Sequence, residues 1–195
     1  MRSSTGKRRG TPATTTHWTA AAGTALTAMA YLAAWLYPTV DLELTESLIY
    51  AFGLEFFIVH AGVMVPAARA GGHSRALLIA AIYLLIALAV GIGLGPWTFI
   101  GFAYLTVLEI LPALQDRAED LAVTAIAGAG KAALYFVVIV TAFLLPVPLL
   151  GVTPDVDAAL ALDISGVTDP GPQNVLCAGF VYFAVLAGVR WRLAR

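Results

Sequence analysis

Residues 45–67 read TESLIYAFGLEFFIVHAGVMVPA, a run of 23 residues whose only formal charges are Glu46 and Glu55. A helix needs about 20 predominantly apolar residues to cross the hydrocarbon core of a bilayer. This run is therefore long enough to span. Asp41 and Glu43 precede it, and Arg69 and Arg75 follow it. Lys and Arg are retained in cytoplasmic loops, so the arginine end of the span points inward.

Working outward, five further apolar runs occupy about 18–37, 76–94, 97–114, 121–145 and 173–189. Of the 11 Lys and Arg residues, all but Lys131 lie in the connections or tails. They form clusters at Arg2/Lys7/Arg8/Arg9, Arg69/Arg75, Arg117 and Arg190/Arg192/Arg195, which fall at alternate connections. The intervening connections carry no Lys or Arg, and two of them are acidic. This alternation predicts an all-α polytopic integral membrane bundle of six transmembrane helices, with N and C termini cytoplasmic. Residues 1–17 then form a cytoplasmic tail, and 18–195 one membrane domain in the cell membrane. Pro66 is expected to end the second span, and an external loop is expected over 147–172.

Composition agrees. Hydrophobic residues make up 60% of the 195 and charged residues only 12%, about half the charge of an ordinary soluble domain. The mean hydropathy is +0.86. A basic start followed by an apolar run also suits an export signal, and Arg8-Arg9 resembles a twin-arginine one. The run 18–37 is long for such a signal, however, and no clear small-x-small cleavage site precedes Trp35, which favours a retained helix. Period-2 alternation in blocks of about ten residues is missing, which excludes a β-barrel. No internal repeat marks an inverted-repeat transporter. Cys177 is the only cysteine, so neither an internal disulfide nor a multi-cysteine metal site can form.

Four ionisable side chains fall inside the spans: Glu55 and His60 on the second, Glu109 on the fourth, Lys131 on the fifth. A charge at the centre of a membrane helix costs about 2.5–3.5 kcal/mol even on the lenient insertion scale. Such residues face the bundle interior, pair with one another or line a wet path. Glu109 and Lys131 flank one short turn at matching depths, so an ion pair between them is expected within a helical hairpin. Tyr135 lies one turn beyond Lys131 and Thr106 nearly one turn before Glu109, each able to share its neighbour's face. Glu55 and His60 are five residues apart and project about 140° from each other on a regular helix. They are expected to meet different neighbours or to border a central cavity.

These groups give a leading functional reading: a small transporter or channel for a proton, ion or small solute. Glu55 would bind the proton or cation, His60 would relay it, and Glu109 and Lys131 would extend the polar path. A second reading is an accessory or scaffold subunit whose buried charges only lock the bundle. A third, an intramembrane enzyme acting on a lipid or peptide, lacks His-Glu-x-x-His, Gly-x-Ser-x-Gly and paired-Asp motifs. Of the other histidines, His17 and His73 fall at terminal or loop positions, which disfavours two-histidine haem ligation, and no cofactor is predicted. A metal held by Glu55 and His60 would need a third ligand, for which Glu109 is the obvious donor. The external aspartates Asp155, Asp157 and Asp163 lack the Gly and terminal Glu of a calcium loop.

The partners implied are the lipid bilayer, a small solute or ion, and a membrane protein partner or second copy of the chain. Rows of small residues at four-residue spacing, Ala125/Ala129/Ala133 and Gly128/Ala132 on helix five and Ala21/Ala25 and Ala30/Ala34 on helix one, suit close helix packing. No nucleic acid is expected, since Lys7-Arg8-Arg9 marks the cytoplasmic face and meets anionic headgroups. In length, helix number and an alanine-spaced first helix, the chain resembles the substrate-binding subunits of energy-coupling-factor transporters. That resemblance is topological and carries no diagnostic motif.

Overall fold

The computed structural model describes residues 13–94, 96–115, 121–148, 150–160 and 171–193. They form α1 (Ala13–Leu36), a 3-10 turn (Pro38–Val40), α2 (Leu42–Ala70), α3 (His73–Leu94), α4 (Pro96–Gln115), α5 (Leu121–Leu144), α6 (Pro154–Leu160) and α7 (Pro172–Leu193). Among the described residues there is no strand. Four helices, α1, α2, α5 and α7, are long and apolar enough to cross a membrane. α3 and α4 contribute shorter apolar stretches at His73–Ile86 and Phe102–Leu111.

Local chemistry explains the boundaries. Proline opens α4, α6 and α7, at a position whose N–H would have no helical partner anyway. Asp41 caps α2 by accepting from the Leu44 N–H at 2.8 Å, which satisfies one of the orphan donors of a first turn. The turn to α3 uses Gly72 at φ +122°, a conformation open to glycine and strained for other residues.

α2 is the hub. It packs against α3, α4 and α5 and more lightly against α7 and α1. One side of it joins α1, α5 and α7 in a core that includes Tyr31, Phe52, Val59, Tyr135, Leu176 and Tyr182. Ala61 and Val65 instead pack with Ala76, Ala80 and Tyr83 of α3 and Ile110 of α4. α2 thus separates a three-helix half from a two-helix half.

Three expectations need correction. α2 does not stop at Pro66 but continues to Ala70. Pro66 is fully buried, and the missing N–H removes only the bond to the Gly62 carbonyl, a loss that packing offsets. Second, α4 and α5 do not form a close hairpin. They touch at few positions: α5 packs mainly on α2, and α4 packs on α2 and α3 alike.

Third, the segment after α5 is not simply a loop. Its described part contains α6, whose Val156 and Leu160, with Val152 before it, are buried in the α1/α5/α7 core. The four-residue spacing makes one apolar face. The Trp35 indole N–H donates to the Pro148 carbonyl at 3.2 Å, and the Gly151 N–H to the Trp35 carbonyl at 3.2 Å. At Gly151 a Cβ would collide with the Leu36 carbonyl, so glycine is required for this close approach. The described part of the segment lies as a cap across that end of the bundle.

At the opposite end, Trp18 of α1 and Trp191 of α7 meet edge to face at 4.5 Å. The start of the first helix and the end of the last therefore sit together.

Candidate functional site

One stripe of α2 organises the interior. Leu48, Phe52 and Glu55 lie at i, i+4 and i+7, which places them on one helical face. Three tyrosines from three different helices bond to them. The Tyr31 hydroxyl of α1 donates to the Leu48 carbonyl at 2.7 Å. The Tyr135 hydroxyl of α5 donates to the Phe52 carbonyl at 3.0 Å. The Tyr182 hydroxyl of α7 donates to Glu55 Oε1 at 2.9 Å. A buried tyrosine needs a partner for its hydroxyl, and here each finds one on the same strip of α2.

Glu55 is 7% exposed. It lies 13 residues from the start of α2 and 15 from its end, about 20 Å from either by the helical rise. Besides Tyr182, the charges of Glu109, Lys131 and Arg190 act on it electrostatically. Tyr31, Tyr135 and Tyr182, with Phe52 and Phe183, form a connected aromatic cluster beside it.

The expected ion pair between Glu109 and Lys131 is present. It joins α4 to α5 across α2, at Gly62. A Cβ on Gly62 would stand 2.6 Å from Glu109 Oε1 and 3.0 Å from its Cγ, so the notch left by glycine is the space that Glu109 occupies. On the α5 side, Gly128 lies so close that a Cβ there would strike the Gly62 carbonyl. That carbonyl is the one Pro66 cannot bond, four residues on. Gly62, Pro66, Gly128, Glu109 and Lys131 thus make one node linking the two halves of the bundle.

The structure does not bring His60 to Glu55. His60 is exposed on the outer side of α2, its ring 5.3 Å from that of Phe56. Among the described residues, no three His, Cys, Asp or Glu side chains could hold a metal ion, so Glu55, His60 and Glu109 do not converge as a ligand set. Asp163, Asp169 and Arg117 lie outside the described residues, as do the side chains of His17 and Asp157. Thr106 is 1% exposed, and its hydroxyl has no partner among the described residues.

Sequence reasoning missed Tyr31, Tyr182 and the contact of Arg190 with Thr24. Arg190, in the last turn of α7, donates to the Thr24 hydroxyl of α1 and to the Ala20 carbonyl at 3.5 Å. The available signal was the presence of hydroxyl-bearing rings in the middle of apolar spans, each of which must find an acceptor. The small-residue rows divide by face. Gly128 and Ala132 pack inward, whereas Ala129 and Ala133 are exposed.

No protein family matches the chain, and no curated protein or solved structure proves similar to it.

The three tyrosines make separable contributions. Tyr182→Phe leaves a buried carboxyl oxygen without its donor and is expected to destabilise by about 1–3 kcal/mol. Tyr135→Phe removes a bond from a carbonyl already held within its helix, so about 1 kcal/mol is expected. Denaturant unfolding in mixed micelles measures both. Equal losses would mean that Glu55 takes no special support from Tyr182.

Proposed function

We propose that the chain crosses the cytoplasmic membrane six times, with both ends inside, and serves as an accessory or scaffold subunit. In this reading the buried charges fasten helices and the outer surface meets a partner. The orientation is supported by the basic clusters at alternate connections and by the Trp18–Trp191 contact, in which the first part of α1 meets the last turns of α7. α3 and α4, with 22 and 20 residues, have the length to supply the fifth and sixth spans.

The observation that carries the scaffold reading is the Glu109–Lys131 pair across the Gly62 notch. Each charge is used to bind another helix, which is what a register-setting pair does. His60 and the small residues Ala129 and Ala133 face outward, where a neighbouring helix can approach.

A second reading, a proton- or cation-coupled transporter, draws on Glu55. That carboxyl sits mid-bundle on one hydrogen bond, within electrostatic reach of Lys131, Glu109 and Arg190. Intramembrane ionisable groups of this kind mark ion pathways in other proteins.

One pair of measurements separates the two. Vesicles loaded with a pH dye and bearing the purified protein are expected to pass protons no faster than protein-free vesicles. The tagged protein, extracted gently from its own membrane, is expected in a complex of fixed stoichiometry that Ala129→Leu with Ala133→Leu dissociates. A proton flux that Glu55→Gln removes would overturn the scaffold reading in favour of transport.

A further inference from the structure

A blind groove of about 430 Å³ runs along the acidic end of α2, beside α4. It lies between the first half of α2 and the Phe102–Leu105 stretch of α4. The lining graduates along one face of α2. Asp41 and Glu43 stand at the mouth, Ser47 and Ala51 form the wall, and Leu54 and Ile58 close the floor against Phe102 of α4. Exposure falls the same way, from Glu43 in the open to Leu54 and Ile58 at 7% and 5%. From Glu43 to Ile58 is 15 residues, about 22 Å of helix, which matches the reach of a long alkyl chain.

We propose that this groove binds a single-chain cationic amphiphile, with its ammonium head at Asp41 and Glu43 and its tail along α2 to Phe102. The volume falls within the range of about 300–1,000 Å³ typical of small-molecule sites. Charge complementarity selects the head. Asp41 at the cap and Glu43 in the first turn of α2 bring two carboxylates to the mouth, and no Lys or Arg occurs between residues 10 and 68. The positive end of the α2 dipole, about half a charge, opposes them only in part. An anionic head is disfavoured by the same carboxylates, and a neutral head lacks the charge attraction. The inference is independent of whether the bundle transports or scaffolds.

The test uses radiolabelled dodecyltrimethylammonium and the full chain in a neutral maltoside detergent. Saturable uptake of one molecule per chain is expected, displaced by the unlabelled compound but not by dodecanol or dodecyl sulfate. Asp41→Asn with Glu43→Gln is expected to weaken binding at least tenfold, and asparagine still caps the helix, so the fold is retained. Ala51→Phe, which fills the groove, is expected to abolish binding while leaving the mouth intact. Uptake that never saturates, displacement by dodecanol equal to that by the ammonium compound, or unchanged affinity in the carboxamide double variant would each overturn the proposal.

Discussion

Gly128→Leu is expected to prevent the bundle from forming. At this position even a single Cβ would overlap the backbone carbonyl of Gly62, and backbone cannot rotate aside as a side chain can. Gly128→Ala tests the contact more gently. Forced overpacking costs about 1–3 kcal/mol, which outweighs the roughly 1 kcal/mol that alanine gains over glycine in a helix interior. Gly130, two residues along the same helix, has open space around its Cβ position. Gly130→Ala is therefore expected to be neutral or to stabilise by about 0.5–1 kcal/mol. Opposite signs for the two alanine variants, read from unfolding in mixed micelles, would show that contact with α2 and not helix propensity governs position 128. A stabilising Gly128→Ala would disprove the close crossing.

Lys131→Met is expected to rank next. It leaves Glu109 as a lone charge at the centre of the node. Removing one partner of a buried pair costs about 3–5 kcal/mol. Lys131 and Glu109 retain side-chain exposures of 24% and 17%, so a smaller loss, about 2–3 kcal/mol, is expected here. Replacing both, Glu109→Gln with Lys131→Met, is expected to restore stability to within about 1 kcal/mol of the wild type, since neither charge is then stranded. The double-mutant cycle supplies the check. Additive losses, with no recovery in the double variant, would mean that the two side chains act separately and do not fasten α4 to α5.

Charge and hydropathy patterning made the helices legible. The described bounds fall within a few residues of the apolar runs, and the Glu109–Lys131 pair follows from placing two expensive charges near one turn. What patterning could not reveal was which helix lies between which. The short turn between α4 and α5 implied adjacency, yet Gly62 admits Glu109 over the top of α2, and only three-dimensional packing exposes that route. His60 illustrates the same limit from the other side. Its angular offset from Glu55 was calculable, but whether that direction faces a neighbour or the outside depends on the positions of all the other helices. The buried face of α6 escaped notice because seven residues are too few for periodicity to stand out from a polar, proline-rich segment.

The packing of α1 chiefly on α7 bears on biogenesis. Within this chain α1 is synthesised before α7, so it must wait for α7 before it acquires its main companion. Until then Tyr31 has no α7 glycine, Gly179, to lie against, and Thr24 has no guanidinium. A polypeptide cut short before residue 172 would leave α1 without that companion, a form that quality-control proteases can recognise and remove.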